Sequence, residues 1–269
     1  MNKGCVGYRN SIYRFPDYVV LSVGEVLDRA QEMEKLDAII LAGGLGTRLS
    51  AVVRDRPKVL AQVNGRPFLD TILDALVNCN MIGRVVLAVG HMAEQIISRY
   101  GESRNYPFEI NFSIEEELLG TGGGIRKALP LTTTGRVFVL NGDSFVEVNL
   151  NELLKFHDDV NAALTLTVVR VDNVGRFGRV VLDKMGRVVS FSEKFEDKED
   201  GYINAGVYLI ERSLFDTVNM DSPISLEREL LPQFLEKGVY GFATKGKFID
   251  IGTPESYEVS HDYLLGRIS

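Results

Sequence analysis

Short runs of β-branched and aliphatic residues, separated by segments of helical spacing, constrain this chain most. They are DAIIL at 37–41, RVVLAV at 84–89 and RVFVL at 136–140. Parallel neighbours need a long crossover, so this alternation predicts βαβ units around a largely parallel sheet. Between the first two runs, PFLDTILDALVNC at 67–79 sets Phe68, Ile72, Leu73, Leu76 and Val77 on one helical stripe, with Pro67 suited to a first turn. That segment is expected to be a core-facing crossover helix. With 269 residues and 45% hydrophobic content, the chain can bury one sizeable core, with or without a small accessory layer.

Composition removes several classes. A net charge of −7 speaks against a nucleic-acid surface, which needs a basic footprint. No apolar run reaches the roughly 18 residues of a membrane span, and the first residues lack the apolar block of a secretory signal, so no membrane partner is expected and cytoplasm is the default location. Cys5 and Cys79 stand far apart and outside metal-ligand spacing, and both read as ordinary free thiols.

The middle of the chain changes character. Short strands are expected at 162–171, 178–182, 188–192 and 205–210, divided by Gly and Asp turns. Ser225 then stands where it can cap a helix through LERELLPQFLE, with Glu227 and Glu229 at the positive end and Pro232 predicting a break near Leu231. That segment reads as scaffold. Residues 1–35 fit the rest poorly and are treated as an N-terminal extension, a docked helix or dimer contact, which leaves a homo-oligomer open. The main domain is expected to occupy 36–269.

The strongest local signal is LAGGLGTRL at 41–49, directly after a strand and trailed by Arg54, Arg56, Pro57 and Lys58. Gly43, Gly44 and Gly46 let backbone amides approach a phosphate, and Arg48 and Lys58 supply positive charge. The string is neither the P-loop pattern nor the three-glycine dinucleotide fingerprint, which argues against a Rossmann-type dehydrogenase. Alone, it could be only a tight turn. LNGDSF at 140–145 ends a hydrophobic strand in an acid, at the carboxyl end where open α/β sheets place ligands, and FIDIGTPESY at 248–257 offers a second acid in a similar setting.

LAGGLGTRL with its Pro-Lys pair resembles the signature of the sugar-1-phosphate nucleotidyltransferases, and later strings match that family in order from Leu36 to about Tyr257. The resemblance implies an α/β fold, a Rossmann-like, mostly parallel sheet flanked by helices with an added small sheet on the sugar side. It implies a triphosphate held by Leu41, Ala42, Gly43, Gly44, Gly46, Thr47 and Arg48, with Lys58 near the reacting phosphorus. Where the family usually has Pro-Met after this lysine, Val59 and Leu60 stand here; both are apolar, so altered packing is expected rather than lost chemistry. LLGTGGGI at 118–125 resembles the base-side segment, with Glu115, Gly120 and Thr121 as readers. A carboxylate at Glu115 could accept the two N–H donors on a guanine edge, although the run 115–117 reads equally as a solvated edge.

Asp143 and Asp250 match the family's metal positions and are expected to share Mg²⁺, which prefers a few carboxylates plus phosphate oxygens and water. FSEKF at 191–195 resembles the family's Glu-Lys element, giving Glu193 to sugar hydroxyls and Lys194 to the sugar phosphate. Gly178, Asn204 and Gly206 are further sugar-side residues by the same resemblance. The implied reaction is attack by a sugar 1-phosphate on the α-phosphorus of a nucleoside triphosphate, with Arg48, Lys58, Asp143, Lys194 and Asp250 as its catalytic set and pyrophosphate leaving. Within the family the strings are most similar to D-glycero-alpha-D-manno-heptose 1-phosphate guanylyltransferases, which favours GTP and that heptose phosphate. Mannose 1-phosphate guanylyltransferases and N-acetylmuramate 1-phosphate uridylyltransferases share most of them. A silent regulatory subunit on this fold would be expected to lose an acid or lysine from the set, and none is missing.

Overall fold

The aliphatic run at 37–41 becomes β1 (Leu36–Ala42), which pairs on both edges and is buried on both faces. Ala38, Ile40 and Ala42 point into one core and Ile39 into the other. That is the signature of a central parallel strand, and each buried isoleucine contributes about 1.5–3 kcal/mol. The computed structural model describes residues 35–102, 105–175, 177–192, 199–219 and 222–265. The reading of residues 1–35 as an extension lies outside them, apart from Lys35.

A hairpin of β2 (Gln62–Val63) and β3 (Arg66–Pro67) leads into helix α1 (Phe68–Asn78), followed by β4 (Ile82–Val89), α2 (Ala93–Tyr100), β5 (Glu109–Ile114), α3 (Gly120–Ala128) and β6 (Arg136–Asn141). The second half comprises β7 (Ser144–Val146), α4 (Leu150–Asp159), β8 (Leu164–Val171), β9 (Arg179–Leu182), β10 (Val188–Ser192), β11 (Gly201–Glu211), α5 (Leu231–Phe234), β12 (Val239–Thr244), β13 (Phe248–Asp250) and α6 (Pro254–Leu265). Nine strands form one sheet, in the order β10-β9-β11-β6-β1-β4-β5, with β8 paired to β11 and β12 to β8. Strands β6, β1, β4 and β5 run parallel, while β11 enters antiparallel beside β6. Helices flank this mixed α/β sheet: α1 and α2 pack in one core, α3 in the other. The middle strands extend the main sheet, and the small separate sheet near the site is β7 with β13.

Local chemistry explains the element ends. Pro67 sits at the N-cap of α1, one residue before the first turn that its fixed φ suggests, because it also closes the β3 pairing. The stripe Phe68, Ile72, Leu73 and Leu76 is buried as its spacing requires, with Val77 packed at the core's edge. Ser225 Oγ accepts from Arg228 N at 3.2 Å, and Glu229 reaches back to Ser225 N at 2.7 Å, a reciprocal cap. The turn from Leu226 to Leu230 is π-wide, and the helix changes to α geometry at Leu231, where Pro232 removes an amide. Asp37, almost fully buried, is satisfied by the amides of Thr133 and Thr134 at 2.5 and 3.2 Å, which ties the entry of β6 to β1. Among the described residues, no helix is long and apolar enough to cross a membrane.

Candidate active site

The site begins where β1 ends. The carbonyl of Leu41 accepts from Gly142 N at 2.9 Å, and a Cβ on Gly142 would fall 2.5 Å from that oxygen. Only glycine allows this approach, and it brings Asp143 alongside the loop after β1. In that loop Gly46 adopts φ +61°, and its carbonyl accepts from Leu49 N and Ser50 N at 3.0 and 3.1 Å, turning Thr47 and Arg48 back over the strand ends. A cavity of about 340 Å³ opens here, within the range of small-molecule sites. Leu41, Ala42, Gly43, Gly44, Gly46, Thr47, Arg48, Glu115, Gly120 and Thr121 all line it, together with Lys58, Val59, Leu118, Asn141, Asp143 and Gly252. Val59 and Leu60 are both buried in the adjoining core.

Elsewhere on the wall of this cavity, beyond β4, Glu115 is tethered by its own amide to Val89 O at 2.7 Å. A Cβ on Gly43 or Gly124 would stand 3.0 or 2.8 Å from Glu115 Oε1, so glycines on two sides make room for this carboxylate. Burial pushes its carboxyl above the ordinary range, and the Leu119 amide works the other way by stabilising the anion. Gly120 has φ +73°, with a Cβ position 2.5 Å from Ile224 O. That same carbonyl accepts from Gly122 N and Gly123 N at 2.9 and 3.3 Å, closing the first turn of α3. The Thr121 hydroxyl is also spoken for: it donates to Glu227 Oε2 at 2.7 Å and accepts from Leu226 N at 2.8 Å. Any contact of Thr121 with a ligand thus falls to its backbone and methyl.

The charged centre joins segments far apart in the chain. Lys58 starts a single 3₁₀ turn after Pro57, and its Nζ lies 2.6 Å from Asp143 Oδ2. The lysine side chain is 12% exposed and the aspartate 44%, so the amine is held while the carboxylate faces open space. Strand β13 pairs antiparallel with β7, setting Asp250 opposite Ser144, and Ile251 N donates to Asp143 O at 2.9 Å. Asp250 Oδ1 accepts from Gly252 N at 2.7 Å and Ser256 Oγ at 3.1 Å. The two acids therefore stand on one two-stranded ribbon.

A second cavity of about 520 Å³ shares Arg48, Asn141, Asp143 and Gly252 with the first. Its remaining wall is Ser144, Gly175, Phe177, Gly178, Phe191, Asn204, Glu227, Arg228, Phe248 and Asp250. Gly178 and Asn204 are on this wall as expected. Gly206 does not line this cavity: with φ +76° and a Cβ position 2.7 Å from Ser144 Oγ, it lets β11 pass close over β7. Its amide is engaged by Asn204 Oδ1 at 3.1 Å. Glu193 and Lys194 lie outside the described residues.

Asn141, Glu227 and Arg228 are among the wall residues that had no assigned role in the sequence. Asn141 Oδ1 is buried without a hydrogen-bond partner beside Asp143, at the junction of both cavities. Its place in LNGDSF was the available signal. Glu227 and Arg228 belong to the segment read as scaffold, and only tertiary packing brings them to the second cavity.

This architecture, a glycine loop after the central strand with a lysine and two acids at the sheet's carboxyl end, is that of a nucleotide-handling α/β enzyme. The chain belongs to the nucleotidyl transferase family, whose model matches residues 37–265. It is 40% identical over 230 residues to a D-glycero-alpha-D-manno-heptose 1-phosphate guanylyltransferase of Aneurinibacillus thermoaerophilus, covering 85% of this chain and 98% of that one. It is 35% identical over 226 residues to a mannose-1-phosphate guanylyltransferase of Mycobacterium tuberculosis, covering 83% of this chain and 63% of the longer relative. Among solved structures, HddC from Yersinia pseudotuberculosis complexed with GMP-PN matches with a TM-score of 0.75 and 33% identity, over 85% of this chain and 99% of that one.

Proposed function

We propose that this chain transfers GMP from GTP to a sugar 1-phosphate, with D-glycero-alpha-D-manno-heptose 1-phosphate as the favoured acceptor, releasing pyrophosphate. The observation that carries the reading is the Lys58–Asp143 pair at the seam between a glycine-lined cavity and a second, roomier one. Two mutually repelling anions must meet in line, and a lysine held in the first cavity by an aspartate that lines both lowers that repulsion where the new bond forms. The attacking phosphate oxygen is already an anion, so no enzyme nucleophile is required. Arg48 touches both cavities and serves the triphosphate. Glu115, whose carboxylate form is favoured by the Leu119 amide against the opposing effect of burial, can in that form accept the paired N–H donors of guanine, an edge that uracil and thymine lack. Resemblance gives Lys194 to the sugar phosphate and Glu193 to the sugar hydroxyls.

Magnesium fits the donor set. Asp143 and Asp250 face one cavity, Asp143 is half exposed, and the orphaned Asn141 oxygen adds an acceptor beside them. Magnesium characteristically takes one or two carboxylates together with substrate oxygens and water, a demand that Asp143 and Asp250 can meet. Such an ion supplies charge neutralisation at the phosphates.

The favoured sugar rests on the near-full-length match to the heptose relative, and mannose 1-phosphate is the second reading because the mannose relative is nearly as similar. Pyrophosphate release, measured with the common nucleoside triphosphates against heptose, mannose and N-acetylmuramate 1-phosphates, tests both. GTP with heptose phosphate should give the highest kcat/KM; a preference for UTP would remove the role assigned to Glu115.

A further inference from the structure

One polar chain crosses the protein between the two cavities. Asn204, on the wall of the larger cavity, donates from Nδ2 to the Tyr208 hydroxyl at 2.6 Å. Tyr208, fully buried in β11, donates to Glu227 Oε1 at 3.1 Å. The other oxygen of Glu227 accepts from the Thr121 hydroxyl at 2.7 Å and the Ser225 hydroxyl at 3.2 Å. Thr121 stands in the first turn of α3, on the wall of the glycine-lined cavity. A carboxylate accepting three hydroxyl donors is well satisfied, and a buried network of this kind fixes its members relative to one another.

We propose that Glu227 is a positioning residue that couples the two half-sites: by bridging Thr121 to Tyr208 and Asn204, it makes the placement of the acceptor's pocket depend on the placement of the nucleotide's. The proposal rests on the reading of the two cavities as nucleotide and sugar-phosphate chambers. Every hydroxyl in the chain has one proton, so its donor directions are set by the only member that cannot donate, the Glu227 carboxylate. A glutamine there presents an N–H₂ group on one side, so a hydroxyl facing it must turn its proton away and gives up the acceptor it has in the wild type.

The test uses whichever triphosphate and sugar 1-phosphate the wild-type enzyme turns over fastest. A different substrate preference would then overturn the proposed function and leave this experiment intact. Thr121→Val should raise the KM for the sugar 1-phosphate by about fivefold although Thr121 lines the other cavity, and Tyr208→Phe should raise the KM for the triphosphate by a similar factor. Thr121→Ser, which keeps the hydroxyl that meets Glu227, should return the KM for the sugar 1-phosphate to the wild-type value. In a Glu227→Gln background both cross-effects should vanish. Melting temperatures of the single variants identify any loss due to unfolding, and the serine variant reports the hydroxyl's role without that risk. If each substitution alters only the KM of its own cavity's substrate, or if the cross-effects persist in Glu227→Gln, the coupling role is wrong.

Discussion

Lys58 Nζ and Asp143 Oδ2 lie 2.6 Å apart although 85 residues separate them in sequence. The pair is a poor stabiliser, because the aspartate is 44% exposed and an ion pair of that kind contributes at most about 1 kcal/mol. Its value is positional. Asp143→Asn is therefore expected to lower kcat by about 10²–10³-fold while moving the melting temperature by no more than about 4 °C. Steady-state kinetics beside a thermal melt decides, and near-normal turnover would remove Asp143 from the reaction centre.

Ser256 Oγ donates to Asp250 Oδ1 at 3.1 Å and so orients a proposed magnesium ligand from behind. Groups behind a ligand typically change metal affinity by about 10–100-fold. Ser256→Ala should raise the magnesium concentration for half-maximal rate by about tenfold, with kcat largely recovered at saturation. An unchanged magnesium titration would count against Asp250 as a ligand. Chelation should silence the wild-type enzyme, and added magnesium should restore it.

Gly120 combines φ +73° with a Cβ position 2.5 Å from Ile224 O. Both facts oppose a side chain, the first by backbone strain and the second by collision with a carbonyl that caps α3. Gly120→Ala should cost about 1–3 kcal/mol in denaturant unfolding and raise the KM for the triphosphate. A variant as stable as the wild type would show that the loop adapts freely.

His157 is buried on α4, with Nδ1 2.8 Å from Thr165 Oγ1 and Nε2 3.5 Å from Glu211 Oε1. Burial pulls its pKa below 6.5; Glu211 and Asp158 oppose the shift, and Arg136 adds to it. The folded protein thus binds this proton less readily than the unfolded chain. Above the ordinary histidine range both states are neutral here and the stability is fully present; as pH falls through that range the unfolded state protonates first and stability is lost. Melting temperatures taken from pH 8 down to 5.5 should decline more steeply for the wild type than for His157→Gln. Parallel slopes would mean His157 does not contribute.

The sheet and the glycine loop after its central strand were readable because their causes are local. An aliphatic run announces a buried strand, and a glycine triplet after it announces close approach to a ligand. Asp143 and Asp250 were readable by residue type and by the strings around them, and the ribbon that unites them needs only the pairing of Asp250 with Ser144. What escaped depends on contacts between distant segments. Glu227 reads as a helix-start acid, and nothing in SLERELLP says that its carboxylate meets Thr121, 106 residues earlier. The three glycines after Thr121 also have a packing reason invisible in sequence: Cβ atoms on Gly122, Gly123 and Gly124 would stand 2.6–2.8 Å from Leu230, Leu119 and Glu115. Asn204 and Gly206 were both given to the sugar side by resemblance; Asn204 lines the second cavity, whereas the φ of Gly206 serves the close passage of two strands, a contact between distant segments.

The ribbon of β7 and β13 is also closed by one of the last strands of the chain. A nascent chain possesses its glycine loop, its lysine and the parallel half of its sheet long before the strand carrying Asp250 is synthesised. On the role proposed for Asp250, a polypeptide whose last strand has yet to dock is expected to hold much of its architecture and consume no nucleotide.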